Sequence, residues 1–309
     1  MNKIVMKRQL ADEVYQIEVE APHIAHERKA GQFVIVQTDT EWGERIPLTI
    51  ADADPQAGTI TLIFQTVGAT THRLAALEPG DMIPAILGPL GNPTHIERFG
   101  RAVCVGGGIG VAPMHPIAQA LKQAGNHLTI IMGARTKDLI IMEEEMRALA
   151  DDLIIVTDDG SYGRKALVTV PLGELCAQDP KPDLVVTIGP PIMMKFCAET
   201  TRPFGVKTVA SLNTIMIDGT GMCGGCRVSV GNKTKFVCVD GPEFDAHQVD
   251  WDGMMLRLRA YKGAEDEAHK ALHEAEHASA KASAVADSHP GGGCRLDKII
   301  DDKVSGGSR

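Results

Sequence analysis

The run Arg101–Gly125, RAVCVGGGIGVAPMHPIAQALKQAG, constrains the fold more than any other. An apolar strand runs into a glycine turn and then into a helix that ends at Gly125. A strand followed by a helix needs a parallel neighbour reached by a crossover, so the unit cannot stand alone. The rhythm continues with strand HLTIIMGA, helix DLIIMEEEMRALA, strand DLIIVTDDG, a helix near LGELC, strand PDLVVTIGPP, a helix over 192–202 and strand KTVAS. This alternation predicts a doubly wound parallel α/β nucleotide-binding domain over residues 100–210.

Ligands of such sheets bind at the carboxyl ends of the strands. The turn Val105–Pro113 has the spacing G-x-G-x-x-P through Gly108, Gly110 and Pro113, rather than the G-x-G-x-x-G of ordinary dinucleotide folds. Its backbone N–H groups and helix start suit a pyrophosphate. Gly107, Gly108, Ile109, Gly110 and Pro113 are therefore candidate NAD contacts, joined at the same rim by Gly133, Ala134, Arg135, Asp158, Asp159, Gly160, Gly189, Pro190, Met193 and Met194. Arg135 is suited to a 2′-phosphate and Asp158 or Asp159 to ribose hydroxyls, which leaves NAD against NADP open at this level.

The first hundred residues read differently. VYQIEVEA, QFVIVQT, RIPLTIAD and GTITLIFQTVG alternate with period two between Gly, Pro and Asp turns, predicting an antiparallel β-barrel over 1–99. EPGDMIPAILGPLGNP closes the region as a Pro/Gly-dense loop. Arg45, Ile46, Pro47, Leu48 and Thr49 place a cation, a proline and a hydroxyl together, and Ile63, Phe64, Gln65, Gly68, Thr70 and Thr71 lead through a turn into a helix. The two segments suit FAD lying across the barrel, with Thr49 near the isoalloxazine.

Composition removes other classes. A net charge of −9 carries no basic patch for nucleic acid, and the N-terminus lacks a secretory apolar core. No stretch holds enough uninterrupted apolar residues to span a membrane, so a cytoplasmic protein is expected. Seven cysteines, an odd number, argue against a disulfide framework, and Cys104, Cys176 and Cys197 read as buried inert thiols.

The other cysteines concentrate in MIDGTGMCGGCRVSVGNKTKFVCVD, where Cys223, Cys226 and Cys238 form C-x2-C-x11-C. Three thiolates are one ligand short of a tetrahedral zinc or a [2Fe–2S] cluster. Residues 211–248 read as a small metal subdomain, and 249–309 as a helix followed by a polar tail. The tail has almost no large apolar residues, which predicts a solvated helix or disorder, with Cys294 a bystander.

The order of R-x-P-x-T barrel, G-x-G-x-x-P domain and cysteine cluster resembles the ferredoxin–NADP reductase superfamily. More closely, residues 1 to about 260 resemble the electron-transfer subunit of dihydroorotate dehydrogenase B and the small subunit of NADH-dependent ferredoxin:NADP oxidoreductase. The former uses the plant-type C-x4-C-x2-C spacing, and counting back five from Cys223 reaches Asp218. D-x4-C-x2-C-x11-C matches the oxidoreductase small subunit, whose resemblance implies a [2Fe–2S] cluster on Asp218, Cys223, Cys226 and Cys238. A zinc on the same residues is the non-redox alternative, and an electron-transfer subunit for dihydroorotate oxidation is the redox one. The resemblance also implies a larger partner like the small chain of glutamate synthase, with FAD, [4Fe–4S] clusters and the ferredoxin and NADP(H) sites, in a bifurcating heterodimer. No side chain of this chain is then expected to act as nucleophile or strong base.

Overall fold

The computed structural model describes residues 2–39, 44–268 and 270–271. Nearly all of the polar tail, Cys294 included, lies outside the described residues.

Nine elements build the first layer: β1 (Asn2–Ala11), β2 (Val14–Glu20), α1 (Pro22–Glu27), β3 (Phe33–Gln37), β4 (Arg45–Asp54), β5 (Thr59–Gln65), α2 (Ala69–Ala76), β6 (Met82–Ile83) and β7 (Ala85–Leu90). The strands pair in the order β6-β1-β2-β5-β4-β3-β7, antiparallel throughout. The two edge strands are consecutive in the chain, with only Pro84 between them, so the sheet curls into a nearly closed barrel. Both lie in the segment that the sequence reads as a loop. Prolines tolerated in edge strands disguise them, because an edge residue needs no N–H on its free side.

The second layer is β8 (Arg101–Gly107), α3 (Val111–Gln123), β9 (His127–Ala134), α4 (Glu143–Leu149), β10 (Asp152–Thr157), β11 (Arg164–Lys165), α5 (Thr169–Cys176), β12 (Leu184–Ile188), α6 (Pro191–Thr201) and β13 (Lys207–Ser211). Its sheet order is β11-β10-β9-β8-β12-β13, all parallel, so the direction of winding reverses between β8 and β12. Helix α4 is shorter than its sequence pattern predicts. Met142 at φ 58° breaks the backbone just before it, and Glu143, Glu144 and Glu145 then start the helix where its dipole favours acids.

Beyond β13 come β14 (Arg227–Val230), β15 (Lys233–Phe236), α7 (Val237–Asp240), β16 (Glu243–Asp245) and α8 (Trp251–Leu258). Strand β16 adds antiparallel to β13, so the cysteine segment is tied into the nucleotide sheet at its far end. Residues through Lys262 form one compact unit.

Packing explains the apolar run of β3. Val34 and Val36 point into the barrel core with Ile17, Ile50 and Leu62. Phe33 and Ile35, on the opposite face, pack with Met216, Cys226 and Cys238. A strand buried on both faces loses its alternation. Helix α3 plays a similar part, because Val111, Ala112 and Met114 share a core with Val14, Ala51 and Ile63 of the barrel. Buried His115 of α3 adds a contact from Nδ1 to the Ala51 carbonyl at 3.4 Å.

Candidate functional site

Where barrel and sheet meet lies a cavity of about 1280 Å³. Its sheet side is built from strand ends: Gly107, Gly108, Ile109, Gly110 and Pro113 after β8, Gly133, Ala134 and Arg135 after β9, Asp158 after β10, and Gly189, Pro190 and Met193 after β12. The reversal between β8 and β12 splays the following loops apart, which is why the crevice opens there. At the base of the crevice the two loops still approach closely, because Gly110 has no side chain there: a Cβ on it would strike the Ile188 carbonyl oxygen and lie 2.8 Å from Gly189 Cα. The barrel side is formed by Ile46, Pro47, Leu48, Thr49, Ile63, Phe64, Gln65 and Thr71.

Six of the sequence candidates sit elsewhere. Arg45 donates from Nε to Gln37 Oε1 at 3.3 Å, and Thr70 donates to Glu44 Oε2 at 3.2 Å. Gly68 starts α2 outside the cavity wall, and its N–H donates to Thr71 Oγ1 at 3.1 Å, so that hydroxyl occupies part of the expected phosphate cradle. Asp159 turns back to accept from Ser161 N at 2.9 Å and Ser161 Oγ at 2.7 Å, which holds its carboxyl below the usual range. Gly160 stays in that turn, with φ at 80°. Met194 is fully buried on the inward face of α6, among Ala198, Ala210 and Leu212.

Other wall residues carry no motif. Phe33, Ile192, Phe196, Glu199 and Thr200 join it, as do Leu212, Asn213 and Met216 from the segment after β13. The rule that ligands meet strand ends covers the last three, since β13 is the next strand of the same sheet.

Met216 leads from this wall into the cysteine loop. Asp218 Oδ1 accepts from Thr220 N at 3.0 Å, and its Oδ2 accepts from Met222 N at 3.0 Å and Cys223 N at 2.8 Å. These N–H groups, and a further bond with the Cys223 side chain, hold its carboxyl below the usual range. Gly219 at φ 74° lets the loop sit against the barrel, since a Cβ there would come within 2.8 Å of Ile35 Cγ1. On the other side Cys226 Sγ and Cys238 Sγ are 3.2 Å apart, and Cys238 N faces Cys226 Sγ at 3.5 Å. Cys226 and Cys238 are buried and Cys223 is exposed.

The donors therefore come two by two, Asp218 with Cys223 and Cys226 with Cys238. A [2Fe–2S] cluster takes two protein ligands on each iron, so pairs are the arrangement it needs. A single zinc needs its ligands gathered at one point. Among the described residues no three His, Cys, Asp or Glu side chains gather in that way. Thr214 adds a buried hydroxyl without a protein partner in the segment entering the loop. The residues present fit an iron–sulfur cluster.

The remaining described cysteines differ. Cys104 and Cys197 are fully buried, and desolvation pushes both thiols up to about 12. Cys176 rises to about 11 for the same reason. Neutral thiols of this kind are inert fillers of the nucleotide domain, as expected from their apolar context.

Comparison with known proteins follows the same division. The oxidoreductase NAD-binding domain family matches residues 104–199, and the iron–sulfur cluster binding domain of dihydroorotate dehydrogenase B matches 213–250. A Thermotoga maritima protein named as a homologue of the dihydroorotate dehydrogenase B (NAD+) electron transfer subunit is 48% identical over 262 residues, 85% of this chain and 92% of that one. The chain belongs to this electron-transfer subunit family. Within the family, the Bacillus caldolyticus subunit of dihydroorotate dehydrogenase B is 33% identical, over 80% of this chain and 96% of its own. Among solved structures, a chain of the NADH-dependent reduced ferredoxin–NADP oxidoreductase, studied for flavin-based electron bifurcation, superposes with a TM-score of 0.83. It is 45% identical over 88% of this chain and 98% of its own. The cytochrome b5 reductase domain of Ulva prolifera nitrate reductase, at 18% identity and a TM-score of 0.54, shares the fold. The electron-transfer subunit is thus an oxidoreductase component with a ferredoxin-reductase-like fold. Among its described residues no helix is long and apolar enough to cross a membrane.

Proposed function

We propose that this chain is the NAD-side electron-transfer subunit of a bifurcating NADH-dependent reduced ferredoxin:NADP oxidoreductase, carrying FAD and a [2Fe–2S] cluster. One observation carries the reading: the donor loop that fits the cluster is continuous with the wall of a cavity able to take a flavin and a nicotinamide. Met216 lines that cavity and shares a core with Cys226 and Cys238. FAD supplies the conversion between a two-electron hydride carrier and a one-electron cluster.

The chain's own residues position and insulate. In this reading residues 1–99 hold FAD, 100–210 hold NAD(H) and 211–248 hold the cluster, with β16 as the return strap. Thr49 and Gln65 present the polar groups of the barrel wall, while Pro47, Ile63 and Phe64 exclude water from the ring system. Gly108, Ile109 and Gly110 turn backbone N–H groups to the nicotinamide cofactor's pyrophosphate. Asp158, which lines the cavity while Asp159 is engaged with Ser161, takes the ribose hydroxyls. Asp218, Cys223, Cys226 and Cys238 would hold the cluster, and the Gly225 N–H, 3.4 Å from Cys223 Sγ, would hydrogen-bond to that ligand.

The partner in this reading is a larger flavoprotein resembling the small chain of glutamate synthase, with [4Fe–4S] clusters and the ferredoxin and NADP(H) sites. The 45% identity to the oxidoreductase chain supports it. A second reading, electron transfer for dihydroorotate oxidation, is favoured by the Bacillus caldolyticus relative, while Asp218 in the first ligand position counts against it. Anaerobic co-purification from the native source separates them. A glutamate-synthase-like flavoprotein in equal amount supports the first reading, and a dihydroorotate dehydrogenase catalytic chain replaces it with the second. A colourless protein holding zinc defeats both.

A further inference from the structure

Two arginines grip the turn between Cys223 and Cys226. Arg227, which opens β14 directly after Cys226, donates from Nη1 to the Gly224 carbonyl at 3.1 Å, and its backbone N–H donates to the same oxygen at 3.3 Å. Arg257 reaches the turn from the last turn of α8, its Nη2 donating to the Gly225 carbonyl at 3.1 Å across 32 positions of sequence. The grip passes to a ligand through the backbone. The Gly224 carbonyl and the Gly225 N–H are the two ends of one peptide unit, and that N–H faces Cys223 Sγ at 3.4 Å. A cation bonded at the carbonyl end polarises the unit and strengthens the N–H as a donor. The Gly225 carbonyl belongs in the same way to the peptide that carries the Cys226 N–H.

Backbone dimensions added to these contacts put both guanidinium groups within about 10 Å of Cys223 Sγ. Among the described residues neither forms an ion pair. Lys235 of the same hairpin is by contrast paired with Asp240 at 3.2 Å. The two arginines are therefore uncompensated cations beside four anionic donors, Asp218 and the three cysteines. Four such donors outweigh the two positive charges of an oxidised [2Fe–2S] core, and an added electron deepens the excess. Arginine stays protonated throughout, so the charge it sets against that excess is fixed. Arg257 is half-buried and Arg227 exposed, so solvent and salt screen the second more than the first.

We infer that Arg257 and Arg227 are positioning residues that raise the midpoint potential of the cluster. They hold the Gly224–Gly225 backbone with an N–H aimed at Cys223, and they set two fixed positive charges beside the site that gains the electron. The inference rests on the proposed cluster. One electron arrives from NADH by way of the flavin, and no bond to the protein forms or breaks. Each guanidinium favours the more negative, reduced state, so removing either charge favours the oxidised one. At about 10 Å and an effective dielectric constant of roughly 30, one charge changes the reduced-to-oxidised ratio about fivefold.

The test is an anaerobic redox titration of the full-length holoprotein, followed by the cluster's EPR signal at low and at high salt. Arg257→Gln keeps a donor amide without the charge. It is expected to lower the reduced-to-oxidised ratio at a fixed solution potential about fivefold, a fall of roughly 40 mV for one electron. Arg257→Lys should restore most of that ratio, because it returns the charge while changing the shape of the contact. Arg227→Gln should give a smaller fall that fades at high salt, and this exposed position also decides the question if Arg257→Gln does not hold a cluster. Potentials equal to wild type in both glutamine variants, or an Arg257→Lys variant that falls as far as Arg257→Gln, overturn the inference while leaving the cluster reading intact. A wild-type protein without any [2Fe–2S] signal overturns both.

Discussion

Cys226 Sγ lies 3.2 Å from Cys238 Sγ although the residues are twelve positions apart. The β14–β15 hairpin makes this possible, since its register pairs Arg227, next to one cysteine, with Phe236, close to the other. The hairpin holds the two thiols side by side. Asp218 and Cys223 are set by a different device, the backbone N–H groups that the carboxylate gathers.

This difference predicts distinct outcomes at the two pairs. Cys226→Ser is expected to abolish the cluster, read as loss of its visible absorption and EPR signal with flavin retained. Asp218→Cys is expected to keep a [2Fe–2S] centre with a changed midpoint potential, because thiolate replaces a harder oxygen donor. An unchanged potential would show that Asp218 is no ligand and serves the loop alone.

Asp158 and Asp159 should separate cleanly. Asp158→Ala is predicted to raise the KM for NADH about tenfold, the loss of roughly 1.4 kcal/mol. Asp159→Ala should leave that KM within about twofold, since its carboxyl is already spent on Ser161 and the expected loss is a fraction of one hydrogen bond. Steady-state kinetics with NADH and an artificial acceptor checks both, and equal effects would reassign the ribose contact.

Gly110→Ala places a methyl group against the Ile188 carbonyl oxygen. Separating the two loops is expected to cost ~1–3 kcal/mol, comparable to overpacking of a core. Thermal unfolding should show the loss, and titration of NADH against the flavin absorbance should show weakened binding. A variant that melts like wild type would mean that the loops part freely.

Glu243 of β16 makes stability depend on pH. Its carboxyl titrates at about 7 in the folded chain, above its ordinary value, so between those values the native state binds more protons than the unfolded state. Stability from this group is therefore highest in acid, falls as pH rises towards 7, and stays reduced above it. Glu243→Gln is expected to gain ~1–3 kcal/mol relative to wild type above neutrality and little in acid. Unfolding measured against pH checks the sign, and a parallel pair of curves would contradict it.

Much of the architecture is legible in local patterns. Period-two runs mark β2, β4 and β5, the apolar run of β3 marks a strand buried on both faces, and the alternation after Arg101 marks the parallel sheet, because each pattern follows from which faces are buried. Strands β6 and β7 escape because Pro84 between them and Gly88 and Pro89 within β7 are turn signals everywhere except at an edge. Helix α4 is over-read because apolar Leu139–Ile141 continue its pattern while the backbone at Met142 does not.

The site divides along the same line. Glycine turns, the R-x-P-x-T segment and the D-x4-C-x2-C-x11-C spacing are chemical types at fixed short separations, so sequence alone determines them. Only tertiary structure decides that Asp158 faces the cavity while Asp159 turns away, that Met194 is core while Met193 is wall, and that Met216 joins cavity to cluster loop. It alone brings Glu243, Thr94 and Cys104 together, from three elements that no local pattern connects. The physical reason is that local sequence sets backbone preferences over a few residues, whereas burial and charge environment are properties of whatever the fold packs alongside.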